Sequence, residues 1–197
     1  MTRLLFLVLL VSSFRGMAGN QIYEPLSDSV RERLSAIVSD RAPARLHFSS
    51  PEDGQRWIDE MEKRLAPRMP DRQSRMELLR AVHYEALRAR LDPQLVLGLI
   101  EVESGFRKYA VSRAGARGYM QVMPFWVQLL GQPSHNLFHL RTNLAYGCAI
   151  LRHYLDMERG DYFRALGRYN GTLGKPEYPT LVLGAWKRRW KYDGPTA

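Results

Sequence analysis

One glutamate in this chain stands where a carboxyl group could act as a general acid. Glu103 ends an apolar stretch that begins with Asp92 and Pro93, residue types preferred at a helix N-cap and in a first turn. A helix that is apolar on nearly every side belongs inside a domain. Burial and the negative end of the helix dipole both disfavour a charged carboxylate, so we expect Glu103 to hold its proton unusually well. The alternative is a helix-terminal glutamate that reaches solvent.

The residues around Glu103 limit the kinds of site to which it could belong. Glu101 lies about 200° round the helix, so the two carboxylates cannot face one cleft. A loop rich in small residues follows at 112–118 and allows backbone to approach a ligand closely. It lacks the spacing and the Lys-Ser/Thr end of a phosphate-binding loop. Gln121 comes next and could bind a sugar or the catalytic carboxyl, or serve as a buried structural amide.

Metal-dependent and serine-dependent chemistry fit the sequence less well. His135 and His139 have the i, i+4 spacing of metal ligands on a helix, but no HExxH pattern accompanies them. No Gly-x-Ser-x-Gly motif surrounds any serine. We therefore expect no metal and no cofactor.

Three tryptophans could stack on sugars, although packing in the core or at its rim is the stronger expectation. They are Trp126, Trp186 and Trp190.

The elements that must position these residues are helices. Apolar periodicity and helix-start signals predict eight helices. One begins at residue 92 and contains Glu103, and the other seven cover residues 26–38, 51–65, 71–90, 124–130, 142–157, 161–169 and 180–190. No window keeps a period-two alternation, so any sheet should be small. The sequence predicts a mainly α protein, with a helical extension over residues 20–70 and a catalytic domain over residues 71–197.

The first 19 residues have the features of a secretory signal peptide. A short basic start precedes an apolar run at 4–11, and small residues at 16–19 offer a cleavage site. The run is too short to span a bilayer comfortably, and no later apolar stretch approaches that length. Arg15 is unusual so close to the cleavage site, so a retained N-terminal anchor is the alternative. We expect export, with membrane contact only through an uncleaved leader.

Charge and cysteine content limit the partners. The formal net charge is +9, and loss of Arg3 and Arg15 with the leader leaves +7. Such a surface suits nucleic acid, membrane phosphates or an acidic cell-wall polymer. Export argues against nucleic acid, and the positive residues are scattered along helices.

Cys148 is the single cysteine, which excludes an internal disulfide, and its apolar neighbours predict a core position.

Four motifs follow one another in order along the second half of the chain. They are Glu103-Ser104-Gly105-Phe106, Ser112-x-x-Gly115-Ala116-x-Gly118-x-Met120-Gln121-x-Met123-Pro124, Asn143-Leu144-x-x-Gly147, and Arg168-Tyr169-Asn170-Gly171. Together they resemble the catalytic domain of soluble lytic transglycosylases, over roughly residues 75–190. The chain departs from that pattern at Tyr119, where many relatives have Leu, and at Gly171-Thr172, where they have Ala-Gly.

The resemblance implies a lysozyme-like fold of the goose type and a reaction on peptidoglycan. Such enzymes cut the β-1,4 bond between N-acetylmuramic acid and N-acetylglucosamine without water, and the muramyl C6 hydroxyl closes onto C1. A single carboxyl group then suffices, whereas most glycosidases use two. Glu103 would protonate the leaving oxygen and afterwards take the C6 proton, which requires a pKa tuned toward neutrality.

The resemblance also implies roles for five further residues. Ser112 and Gln121 would bind the glycan near the scissile bond, and Met123 would line the wall of the cleft. Tyr169 would orient the catalytic carboxyl through a phenolic hydrogen bond, and Asn170 would hold that loop. Without the motif, Tyr169 is equally explained as a core aromatic residue.

The function expected from these observations is that of an exported, periplasmic lytic transglycosylase whose partner is the peptidoglycan glycan strand. One alternative is a muramidase, in which water attacks instead of the C6 hydroxyl. Another is a binding or secretion-apparatus scaffold that kept the cleft but lost catalysis. The joint presence of Glu103, Gln121 and Tyr169 argues against the scaffold, because a pure binder has no need of the acid.

Overall fold

The computed structural model describes residues 21–39 and 42–195, and its elements are helices. In chain order they are α1 (Asp28–Ser39), α2 (Pro51–Leu65), α3 (Arg72–Arg88), α4 (Pro93–Ser104), α5 (Phe125–Leu130), α6 (Leu140–Met157), α7 (Tyr162–Asn170), α8 (Glu177–Gly184) and a π-helical turn (Ala185–Arg189). The described part contains two isolated β-bridges, both made by Arg117, and no strand. The mainly α class is confirmed. The expected signal peptide lies outside the described residues.

Four helices begin where the sequence predicts because a capping side chain is present. The Ser50 hydroxyl accepts from the Asp53 N–H at 3.1 Å before α2, and the Asp92 carboxylate accepts from the Gln94 N–H at 2.7 Å before α4. Asp71 and Asp161 cap α3 and α7 in the same way. Each cap satisfies an N–H that has no partner within its helix.

Two helices begin earlier than predicted. α6 begins at Leu140 rather than at residue 142, and α8 begins at Glu177 rather than at residue 180. Neither start has a side-chain cap, so no local signal marks it. Both starts are instead set by burial, because Leu140 and Tyr178 are buried in the apolar core.

The N-terminal helices share this core with the rest of the chain. α1 packs against α5 and α6, and α2 packs against α3. Leu34 of α1 and Trp57 and Met61 of α2 are at most 1% exposed and belong to the same apolar cluster as α4 and α6. The boundary near residue 70 stays a prediction. No described helix is both long and apolar enough to cross a bilayer.

α4 lies in the middle of the core, as its composition predicts. It contacts α3, α8 and the π-helical turn, and five of its apolar side chains are completely buried: Leu95, Val96, Leu97, Leu99 and Ile100. The helix ends at Gly105, whose φ of +56° is readily adopted only by glycine. Glu103 is therefore the next-to-last residue of a buried helix.

Candidate active site

Glu103 lies inside the protein and receives a hydrogen bond from Tyr178. Glu103 is only 4% exposed, and its Oε1 accepts a hydrogen bond from the Tyr178 hydroxyl at 2.5 Å. Burial, followed by the charge of Glu103 and this hydrogen bond, raises the pKa of Tyr178 well above its ordinary value. The phenol therefore stays protonated and can donate to the carboxylate as a charge-assisted hydrogen bond.

Tyr178 thus donates a hydrogen bond of the kind that the resemblance implies for Tyr169, and an orienting role of Tyr169 toward Glu103 stays a prediction. The Tyr169 hydroxyl donates to the Met120 carbonyl at 2.7 Å, and a hydroxyl has only one proton to donate. Tyr169 is still close to the site. Burial first, and then the charge of Glu103, raises the pKa of Tyr169 well above its ordinary value. Tyr178 was missed because it lies before the helix predicted from residue 180 and belongs to none of the four motifs, and α8 in fact begins at Glu177.

Gln121 holds the loop that leads to the site. Its side-chain Nε2 donates to the Ala110 carbonyl at 3.1 Å and to the Gly118 carbonyl at 2.9 Å. The residue is buried and has a φ of +49°, an uncommon value outside glycine. Of the roles open to Gln121, the structure favours the buried structural amide, because both side-chain N–H groups are used within the loop. Glycan binding by Gln121 stays a prediction.

The same loop is closed by Ser112 and fixed to the core by Asn143. The Ser112 hydroxyl accepts from the Ala116 N–H at 3.1 Å. Asn143 of α6 accepts from the Met120 N–H at 2.8 Å and donates to the Arg117 carbonyl at 2.8 Å. Asn143 was part of a motif in the sequence, but its role in fixing this loop needs the structure. Glycan binding by Ser112 stays a prediction.

Met123 and Asn170 lie beside these tyrosine and loop contacts. Met123 is half-buried, and its N–H donates to the Gln21 side chain at 3.2 Å. Asn170 is the last residue of α7, and its Oδ1 accepts from the Thr172 hydroxyl at 3.2 Å. Asn170 thus contacts the turn after α7. The contacts of both residues with a glycan stay predictions.

Glu101 has separate partners, as the helical angle requires. It accepts from Arg68 at 2.8 Å, from Arg189 at 3.0 Å and from the Trp190 indole at 2.7 Å. These partners come from the α2–α3 connection and from the C-terminal end. Glu101 is therefore committed to a structural ion-pair cluster, and Glu103 stands apart from it.

The other sequence candidates pack structurally. Trp126 and Trp190 are at most 2% exposed, as expected, and Trp186 is half-buried. Cys148 is buried, and burial raises the pKa of its thiol. His135 contacts the Tyr146 hydroxyl at 2.8 Å. In the described ranges, no three His, Cys, Asp or Glu side chains are grouped as they would be to hold a metal ion.

Comparison with known proteins identifies the family of the segment that contains Glu103. The family model for the Transglycosylase SLT domain matches residues 80–177, about half of the chain. A transglycosylase of Enterobacteria phage PRD1 is 40% identical over 45% of this chain and 32% of its own length. A membrane-bound lytic murein transglycosylase C of Histophilus somni is 37% identical over 43% of this chain and 28% of its own, and one of Actinobacillus pleuropneumoniae is 50% identical over 24% and 13%.

The chain thus spans a third or less of the length of these curated relatives. The matched segment contains Glu103 and every sequence-predicted site residue, and it reaches the first residue of α8, directly before Tyr178. Through residues 80–177, the chain belongs to the Transglycosylase SLT domain family.

Proposed function

We propose that this protein is an exported lytic transglycosylase that cleaves the glycan strands of peptidoglycan. The observation that carries the proposal is the buried carboxyl group of Glu103, which receives a hydrogen bond from Tyr178 inside a transglycosylase-family segment. A carboxyl group in an apolar setting can exchange protons near neutral pH, as a general acid and base must.

In the proposed reaction, Glu103 first donates its proton to the glycosidic oxygen between N-acetylmuramic acid and N-acetylglucosamine. The C1–O bond then breaks, and the N-acetylglucosamine end leaves as an alcohol. Glu103, now a carboxylate, takes the proton from the muramyl C6 hydroxyl while that oxygen bonds to C1. The product is a 1,6-anhydro-muramyl end, no water is consumed, and Glu103 has regained its proton.

Tyr178 is the positioning residue in this scheme. Its raised pKa keeps the hydroxyl protonated, so it can donate to Glu103 whenever the carboxylate forms. Because the Tyr178 hydroxyl is already in place, it stabilises the Glu103 carboxylate as soon as the proton leaves, and no group has to move first. Glu101 offers no second catalytic carboxylate, because Arg68, Arg189 and Trp190 engage it.

The test is digestion of purified cell-wall sacculi with mass analysis of the released fragments. We expect anhydro-muramyl ends. Glu103→Gln should lower the rate of release by roughly a hundredfold or more, because an amide can neither donate nor accept the required proton. Glu101→Gln is the matched control on the same helix and should keep activity while losing some stability.

Each alternative has its own result in this experiment. Fragments that are heavier by one water, with reducing ends, would identify a muramidase instead. Binding to sacculi without release would indicate a scaffold. Release by Glu103→Gln at the rate of the unchanged protein would overturn the assignment of the acid. Export is supported by the leader-like first 19 residues and is tested by fractionation of cells that express the full chain.

A further inference from the structure

A short N-terminal segment, residues 21–24, lies on the same wall as the predicted glycan-binding residues. Its anchor is the Gln21 side chain, which is 5% exposed. The Gln21 Oε1 accepts from the Met123 N–H at 3.2 Å and from the Trp126 indole N–H at 3.0 Å. The Gln21 Nε2 donates to the Gln121 carbonyl at 3.4 Å. We call residues 21–24 the N-terminal strap.

The Tyr169 hydroxyl links the Gln21 carboxamide to the charge of Glu103. A hydrogen bond with Gln21 lowers the pKa of Tyr169, against the larger raising effects of burial and of the charge of Glu103. Both Gln21 and Glu103 therefore act on one hydroxyl. Glu103 itself is 4% exposed, so a glycan oxygen can reach its carboxyl only after covering groups move.

The rest of the strap is held weakly. Ile22 is 61% exposed and Tyr23 is 57% exposed, although the Tyr23 ring meets the Phe125 ring edge-on at 5.9 Å. Glu24 pairs with Arg168 at 3.4 Å, and both side chains keep contact with solvent. Exposed ion pairs of this kind contribute little to stability. The buried Gln21 carboxamide is therefore the main attachment of the strap.

The contacts of Gln21 define which chemical group fits this position. A backbone N–H and an indole N–H meet the carboxamide oxygen, and a backbone carbonyl meets the carboxamide nitrogen. An acetamido group offers the same acceptor and the same kind of donor. Both sugars of the proposed glycan substrate carry an acetamido group. The position filled by Gln21 thus suits the acetamido group of an amino sugar.

We propose that the N-terminal strap is an intramolecular competitor of the glycan, in which Gln21 occupies an acetamido-binding position and leaves when an amino sugar enters. This inference rests on the proposed function, because it assumes a glycan cleft beside Glu103. Only molecules in which the strap is displaced can bind the glycan at this position. The apparent glycan affinity is therefore reduced in proportion to the fraction of such molecules. The strap thus sets how readily the site accepts a strand.

The test compares the unchanged full protein with Gln21→Ala and, as a matched control from the same segment, Ile22→Ala. The probe is the N-acetylglucosamine tetramer, and its affinity is measured by titration calorimetry. Gln21→Ala should bind the tetramer roughly tenfold more tightly, because the hydrogen bonds that hold the closed strap are lost. Ile22→Ala should bind like the unchanged protein, since the Ile22 side chain is 61% exposed and the hydrogen bonds of the strap are made by Gln21.

Hydrogen exchange gives a second, direct measurement on the unchanged protein. Saturation with the tetramer should alter the exchange of the Met123 backbone amide and of the Trp126 indole proton, since both donate to Gln21 in the closed strap. Tetramer binding that leaves the exchange of both groups unchanged would overturn the proposal. Equal or weaker binding by Gln21→Ala, or no binding by that variant, would overturn it as well, since Gln21 would then be part of the cleft wall.

Sacculus digestion separates this inference from the proposed function. Release of anhydro-muramyl fragments together with an unchanged tetramer affinity in Gln21→Ala would refute the strap and leave the activity standing. A tighter tetramer complex in Gln21→Ala, without fragment release by any variant, would support the competitor and refute the transglycosylase activity.

Discussion

At the scale of single residues, the site joins a buried carboxyl group to a buried phenol that is 75 positions away in the chain. Glu103 was identifiable from the sequence because its helix is apolar on nearly every side and the carboxylate stands close to the end of that helix. Tyr178 was not, since it lies before the helix predicted from residue 180 and outside the four motifs, whereas Tyr169 is part of one of them. Which hydroxyl reaches Glu103 depends on where α7 and α8 lie, and no local pattern encodes that. The raised pKa expected for Glu103 stays a prediction.

The first prediction concerns Tyr178→Phe. Loss of the hydrogen bond to the carboxylate should lower kcat on sacculi by roughly ten- to a hundredfold, the value of one charge-assisted hydrogen bond. Because the charged form of Glu103 loses a stabilising donor, its pKa should rise, and the alkaline limb of the pH–rate profile, where Glu103 loses the proton that it must donate, should move to higher pH. Tyr169→Phe is the control and should leave that limb in place, since its hydroxyl donates to Met120. The reverse pattern would support the orienting role expected of Tyr169.

At the scale of elements, the loop that carries Gln121 is held by α6. Asn143 fixes the loop through its hydrogen bonds to Met120 and Arg117, and Gly147 lies one turn further along the same helix. A Cβ on Gly147 would lie 2.4 Å from Met120 Sδ and 2.7 Å from Met120 Cβ. In the sequence, Asn143 and Gly147 are recognisable only as members of a motif. The packing of α6 against the loop explains why an asparagine and a glycine stand at these two positions.

The second prediction, Gly147→Ala, follows from this close approach. Helix propensity alone would make the variant more stable by about 1 kcal/mol, because alanine is the better helix former. The clash with Met120 should instead lower the free energy of unfolding by about 1–3 kcal/mol, as overpacking does. Urea denaturation measures the difference. A variant as stable as the unchanged protein, or more stable, would show that the loop yields without cost.

At the scale of the whole molecule, the N-terminal helices are packed on the SLT segment through an aromatic contact. His83 of α3 stacks on Phe48 at 4.5 Å and meets the Trp57 ring edge-on at 5.1 Å. Burial first, and then the nearby charge of His47, lowers the pKa of His83 to about 4. His83 is therefore neutral where residues 42–65 dock against α3, and its protonation disfavours that contact.

The third prediction is a pH dependence of stability that comes from His83. An unfolded histidine takes up its proton near pH 6.5, whereas folded His83 does so only near pH 4. The contribution is therefore complete above about pH 6.5, is lost as the pH falls toward 4, and amounts to at most about 3 kcal/mol. His83→Phe keeps a ring but cannot titrate. Denaturation at several pH values should show the stability difference between the two proteins changing over this window; a constant difference would contradict the prediction.

The sequence by itself determined the helical class, the caps of four helices and the burial of α4 with Glu103 at its end, because these follow from residue types at local spacing. Only the tertiary structure decided three other features: the donation by Tyr178 to Glu103, the use of the Gln121 amide within its own loop, and the place of Gln21 on the same wall. These are contacts between segments far apart in the chain. Such contacts depend on the relative positions of whole helices, which local periodicity does not specify.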